Sequence, residues 1–121
     1  MSQTKYLIIM EELKQEVQTR YILHWNYRGF SYFPQELLDY GRNIEEIYFK
    51  ENGLLELPEN LSQKLPKLTQ LYLYGNQLKI LPESIGFLLN LQIFDLAHNQ
   101  LQILPESIGE LKSLNILGRH P

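Results

Sequence analysis

Between Ile44 and Leu111 the apolar positions follow a cycle rather than one steady period. In Gln70-Leu71-Tyr72-Leu73-Tyr74 the leucines alternate with polar or aromatic residues, the pattern of a short strand with one face buried. An asparagine follows at Asn76, then a turn that ends at Pro82, then Ile85 and Leu88 spaced by three as on the inner side of a helical return segment. The cycle then starts again. NQLKILPESIG, from Asn76 to Gly86, returns as NQLQILPESIG from Asn99 to Gly109, with only Lys79 exchanged for Gln102.

Extending the comparison both ways gives whole units. LTQLYLYGNQLKILPESIGFLL starts at Leu68, LQIFDLAHNQLQILPESIGELK at Leu91, and IEEIYFKENGLLELPENLSQKLPK, one residue longer between matching positions, at Ile44. A fainter copy, LHWNYRGFSYFPQEL, runs from Leu23 to Leu37, with Arg28 where the others carry Asn. The fragment LNIL begins at Leu114, and Arg119 stands where the pattern asks for a buried apolar residue. Asn52, Asn76 and Asn99 are expected at the turn after each strand, their amides satisfying backbone groups that burial would otherwise leave unpaired. Pro58, Pro82 and Pro105 suit the start of the return segment, since proline presets φ and has no donor to lose. A single unit cannot bury its own apolar face, whereas stacked units share a continuous core. The repetition is therefore structural.

Ahead of the units, Tyr6, Met10, Leu13 and Val17 recur at helical spacing among Glu, Lys and Gln. This predicts an amphipathic helix over 4–19 that caps the open end of the stack. Its polar side mixes Glu11, Glu12 and Glu16 with Lys5, Lys14 and Arg20, unlike the basic face of a membrane-surface helix. The expected architecture is α/β: a solenoid with short parallel strands on its concave face and short helices or turns on its convex face. The expected division is a single domain over 1–121: cap 1–20, degenerate repeat 21–43, repeats 44–67, 68–90 and 91–113, and an incomplete repeat 114–121. No polar cover follows Ile116 and Leu117, so the C-terminal edge is expected to be uncapped. Two consequences are open: the chain is a piece of a longer solenoid, or that edge is covered by self-association.

The units read L-x-x-L-x-L-x-x-N-x-L-x-x-L-P-x-x-I/L and so resemble the leucine-rich repeat family, within it the intracellular class with LPxxIG endings. That class includes Ras-suppressor and Ras-binding scaffold proteins. The resemblance implies a non-catalytic, intracellular interaction module, a scaffold or adaptor in signalling, with a Ras-family small GTPase as one partner class. It carries over no catalytic residues. The alternative is a truncated or remnant product whose role is only structural or self-associating.

Composition narrows the rest. The 121 residues carry a net charge of −3 and no basic stripe, which argues against nucleic acid, because phosphate neutralisation needs clustered Lys and Arg. There are no cysteines, consistent with a reducing cytoplasmic setting. Tyr6–Met10 is too short an apolar run for a signal peptide or a membrane span. Asn60-Leu61-Ser62 fits a glycosylation acceptor but reads as coincidence beside the absence of a secretory signal.

Outward residues of the strands form columns across the concave face. One runs Ile22, Glu46, Gln70, Ile93; the middle one His24, Tyr48, Tyr72, Asp95; the third Asn26, Lys50, Tyr74, Ala97, with His98 beyond it. The candidate partner-binding residues are His24, Glu46, Tyr48, Lys50, Gln70, Tyr72, Tyr74, Asp95 and His98. Grouped tyrosines combine large apolar area with a hydroxyl and make good anchors; cross-strand aromatic pairs also simply stabilise a sheet. His24 and Asp95 share a column three strands apart, roughly 14 Å at the ordinary strand spacing, too far for catalysis as a pair. His98 can approach Asp95, but that pair would lack a nucleophile and an oxyanion site. No metal or cofactor site is expected: a metal needs three or more convergent ligands, and the glycines are scattered singly through the chain.

Overall fold

The computed structural model describes residues 2–118. Met1, Arg119 with its expected break in the pattern, and the rest of the tail to 121 lie outside the described residues. Five short strands, β1 (Ile22–His24), β2 (Glu46–Tyr48), β3 (Gln70–Tyr72), β4 (Ile93–Asp95) and β5 (Ile116–Gly118), pair in sequence order into one parallel sheet. The strand-to-strand step is 24 residues from Ile22 to Glu46 and from Glu46 to Gln70, then 23 from Gln70 to Ile93 and from Ile93 to Ile116. The ladder continues just past the strands, where Trp25, Phe49, Leu73 and Leu96 donate to the carbonyls of Tyr48, Tyr72, Asp95 and Gly118 at 2.7–2.9 Å.

The return segments differ unit by unit. α2 (Gln35–Tyr40) and α3 (Leu61–Lys64) serve the first two units, and 3-10 turns at Glu83–Phe87 and Glu106–Glu110 serve the next two. Each starts at its proline: the Pro34, Pro82 and Pro105 carbonyls accept from Leu37, Ile85 and Ile108 at 3.0–3.1 Å. In the longer unit, Pro58 sits three residues ahead of α3, its carbonyl accepting from Leu61 at 3.3 Å.

Between sheet and return segments lies the core. The alternating strand residues Leu23, Trp25, Ile47, Phe49, Leu71, Leu73 and Phe94 have no exposed surface, and Leu37, Leu61, Ile85 and Leu111 close it from the other side. Full burial of one such side chain contributes about 1.5–3 kcal/mol. The first unit adds aromatic bulk, with Phe33 edge-on to Phe49 at 4.8 Å and Phe30 stacked over Phe49 at 5.8 Å.

The three asparagines bind the units together. The amide oxygen of Asn76 accepts from the N–H of Asn52 (3.1 Å) and Leu54 (2.9 Å), while its Nδ2 donates to the carbonyls of Phe49 and Leu73 (both 2.9 Å). Asn52 does the same for the degenerate unit, accepting from Arg28 (2.8 Å) and Phe30 (3.2 Å) and donating to Trp25 (2.8 Å). The lost asparagine at Arg28 thus leaves the first turn satisfied from the unit that follows it. Asn99 accepts from Leu78 and donates to Leu73 and Leu96. The residue just before this position is left-handed in each full unit and in the first: Tyr27 (φ 57°), Glu51 (φ 54°), Gly75 (φ 72°) and His98 (φ 56°). Only one of the four is glycine, the residue that takes this conformation without strain.

α1 (Gln3–Thr19) begins one residue before the expected start because Ser2 accepts from the Lys5 N–H at 3.2 Å as an N-cap. Its C-terminal half covers the first unit: Leu13 and Val17 are buried, Glu16 accepts from the Trp25 indole N–H at 2.8 Å, and Lys14 lies 4.9 Å from the Tyr40 ring centroid. Its N-terminal half does not. Tyr6 is 53% exposed, and Leu7, Ile8 and Ile9 are exposed around it. The expected stripe therefore narrows to Met10, Leu13 and Val17, because only the last turns of the helix lie over core side chains.

Candidate binding face

The concave face is built from the strand residues that point away from the core. The pairing register puts His24, Tyr48, Tyr72, Asp95 and Gly118 in one row and Ile22, Glu46, Gln70, Ile93 and Ile116 in the next. Strand spacing then favours offset ring stacking, since strands about 4.8 Å apart set ring centroids within the roughly 4.5–7 Å range of such stacks. Tyr48 and Tyr72 stack at 4.6 Å with planes 7° apart, and His24 stacks on the other face of Tyr48 at 5.0 Å and 17°. The Lys50 ammonium sits 5.5 Å from the centroid of Tyr72.

Neighbouring rows hold the rings upright. The Tyr48 hydroxyl donates to Glu46 at 2.9 Å, and the Tyr72 hydroxyl donates to the Gln70 side-chain oxygen at 2.8 Å. The carboxylate acceptor beside Tyr48 disfavours the phenolate, and with burial and Coulomb repulsion from Glu46 it pushes the phenol up to about 12. In the third row Tyr74 meets His98 edge-on at 4.8 Å.

Of the nine residues singled out from sequence, His24, Glu46, Tyr48, Lys50, Gln70 and Tyr72 form one contiguous patch, and Tyr74 and His98 a second contact beside it. His24 and Asp95 are kept apart by the two intervening strands, and Asp95 does not pair with His98. The Asp95 Oδ1 accepts instead from the Ala97 N–H at 3.1 Å.

Two residues outside the columns read from sequence, Ile116 and Gly118, complete the face. Tyr72, Tyr74, Ile93, Asp95, Ala97, Ile116 and Gly118 line an open groove of about 410 Å³. It exists because the rows step down from tyrosine to Asp95, Ala97 and Gly118 on passing from β3 to β5. Ile116 and Gly118 lie one 23-residue step beyond Ile93 and Asp95, so extending the columns into the last fragment would have found them. Among the described residues no group of three or more His, Asp or Glu side chains converges as metal ligands, and no helix is long and apolar enough to cross a membrane.

The leucine-rich repeat family model matches residues 67–88 and 90–111, the third and fourth units of the stack. The chain is 34% identical over 73 residues to leucine-rich repeat-containing protein 7 of rat and of mouse, a match that spans 59% of this chain and 5% of each relative. It is also similar to the solved structure of a leucine-rich repeat protein of Leptospira interrogans, with a TM-score of 0.64 and 33% identity over 74% of this chain and 24% of that one. The chain therefore spans only a small part of the relatives it matches. Repeating sequence, parallel sheet, asparagine ladder and these likenesses agree: the chain folds as a leucine-rich repeat solenoid.

Proposed function

We propose that the chain is a non-catalytic protein-binding module, a scaffold or adaptor in cytoplasmic signalling, that engages its partner through the concave face. The observation that carries this reading is the His24–Tyr48–Tyr72 ring stack, flanked by Lys50 and Tyr74 on a hydrogen-bonded sheet. Rigid aromatic side chains lose little entropy on binding and bury much area, the properties of interface anchors. Glu46, Lys50 and Asp95 add charges of both signs that fix the partner's register. The module is read as one domain over 1–121, with α1 covering its first unit. Leucine-rich repeats generally bind protein partners; a Ras-family small GTPase is the class suggested by the LPxxIG endings.

Affinity capture from a cytosolic extract tests the reading, comparing the parent chain with a Tyr48→Ala, Tyr72→Ala, Tyr74→Ala variant of matched circular dichroism. Loss of specific bound proteins with the variant is expected. Identical captures from both would remove the concave face from the interface. A purified Ras-family GTPase, loaded with a GTP analogue and then with GDP, tests the partner class directly. The exposure of Ile116 and Leu117 on β5 favours one second reading, self-association along that strand; sedimentation of a concentration-independent monomer would overturn it.

A further inference from the structure

The ring stack is half of the concave face; the groove beside it has a different chemistry. Its walls are the Tyr72 and Tyr74 rings with Ile93 and Ile116, its floor is Ala97, and its single charge is the Asp95 carboxylate. Among the described residues no cation lies within ion-pair distance of that carboxylate, and only Oδ1 has a recorded partner, the Ala97 N–H. Lys50, the positive group on this face, is directed at the Tyr72 ring. An anion among aromatic and aliphatic walls attracts a cation with an apolar stem more strongly than an open surface carboxylate does, because the local dielectric is lower.

Gly118 makes the room. It stands next to Asp95 in the row, and a Cβ there would come within 2.9 Å of Asp95 Oδ1. Any side chain at 118 would crowd the carboxylate, whereas glycine leaves it open on the β5 side.

We infer that this groove is a subsite for an arginine side chain of the partner protein, the guanidinium meeting Asp95 and the methylene stem lying along Tyr72, Tyr74 and Ile116. This rests on the concave face being the binding face and specifies what it recognises. Arginine fits better than lysine on three counts. Its planar head stacks on tyrosine rings, it sheds water at lower cost, and its fork presents two donors to one carboxylate. Glu46 and Gln70 are occupied by the tyrosine hydroxyls, which leaves Asp95 as the carboxylate on this part of the face not engaged by a neighbouring side chain.

The test is an NMR titration of the 15N-labelled full chain with N-acetyl-arginine methylamide at low ionic strength. It is repeated with the neutral isostere N-acetyl-citrulline methylamide and with the lysine derivative. An Arg119→Gln chain is titrated in parallel, so that the molecule's own guanidinium next in sequence to Gly118 cannot compete. Saturable shifts at the amides of Tyr74, Asp95 and Ala97 are expected, with a Kd on the order of millimolar for so small a ligand. Arginine should bind more tightly than lysine, and citrulline should leave those amides unmoved. Asp95→Asn keeps the side-chain oxygen that accepts from Ala97, so it removes charge and little else. It should weaken arginine binding about tenfold or more, the scale of a charge-assisted hydrogen bond. Equal binding of arginine and citrulline, or an Asp95→Asn chain that binds as well as the parent, would overturn the inference. So would shifts confined to other faces, or none in either chain. A failed titration leaves the capture experiment with the tyrosine variant standing, whereas identical captures there would remove the binding face and with it the partner this subsite would serve.

Discussion

Tyr48 shows how one side chain's chemistry is set by a carboxylate two positions away and by rings 24 positions away on either side. Its ring is held between His24 and Tyr72, and its hydroxyl donates to Glu46 on its own strand. The folded chain favours the neutral phenol, so this group stabilises the fold fully below the ordinary value of 10 and loses that contribution as pH rises from 10 through about 12. In an ultraviolet titration of tyrosinate, Tyr48 should ionise in a late step near pH 12, and a Tyr48→Phe chain should lack that step. A titration with the late step intact in the phenylalanine chain would assign it elsewhere. Asn76 makes a sharper claim. Its buried amide satisfies two N–H groups and two carbonyls at once. Asn76→Ala leaves them unpaired without water access and should lower stability by about 2–3 kcal/mol in urea unfolding, more than Asn99→Ala at its partly exposed site. Equal losses at the two sites would mean that solvent reaches the inner turn.

At the scale of elements, α1 divides into two halves with different work. Leu13 and Val17 seal the end of the core over Trp25 and the first unit, whereas Tyr6, Leu7, Ile8 and Ile9 have no such cover. Leu13→Ala should therefore cost about 2–4 kcal/mol, as deletion of a buried leucine does. Leu7→Ala, on the same helix and 59% exposed, should stay within about 0.5 kcal/mol of the parent. Chemical denaturation of the two variants side by side decides the point; comparable losses would show that the first turns of α1 are packed in solution. The return segments follow the same logic of local cover. Each needs only to place one or two apolar residues over the core, which is why α2, α3 and the 3-10 turns serve interchangeably.

The whole molecule is a line of units in which each touches mainly its neighbours, so opening is easiest at the ends. Central amides such as Phe49 and Leu73, bonded to Tyr72 and Asp95, should exchange with deuterium at least about tenfold more slowly than Ile116, bonded to Gln92 on the outermost strand. Uniform protection along the sheet would instead mean that the stack opens only as one body. The concave face inherits this gradient. The two tyrosines of the ring stack sit on the inner strands β2 and β3, with His24 on β1, while the groove around Asp95 borrows Ile116 and Gly118 from the last strand. Protection is expected to be greatest where the tyrosines are presented and to decline toward the groove.

Sequence alone determined the repeating unit, the inward leucines and the columns of the concave face. Each of these depends only on a period of two within a strand and a near-constant step between strands, both written locally. It also determined the use of the asparagines, because a buried turn has few ways to satisfy its backbone. Tertiary structure decided everything that needs two units to be read together. It decided that α1 covers the core with its second half only, since the length of helix over the first unit is a packing outcome. It set the left-handed residue before each asparagine position, where glycine appears once in four and gives little sequence signal. It stacked the Tyr48 ring between His24 and Tyr72, and it opened the groove at Asp95 by placing small residues beside large ones on adjacent strands. The ring stack and the groove belong to side chains some two dozen residues apart that the sheet sets next to one another, and no local pattern records them.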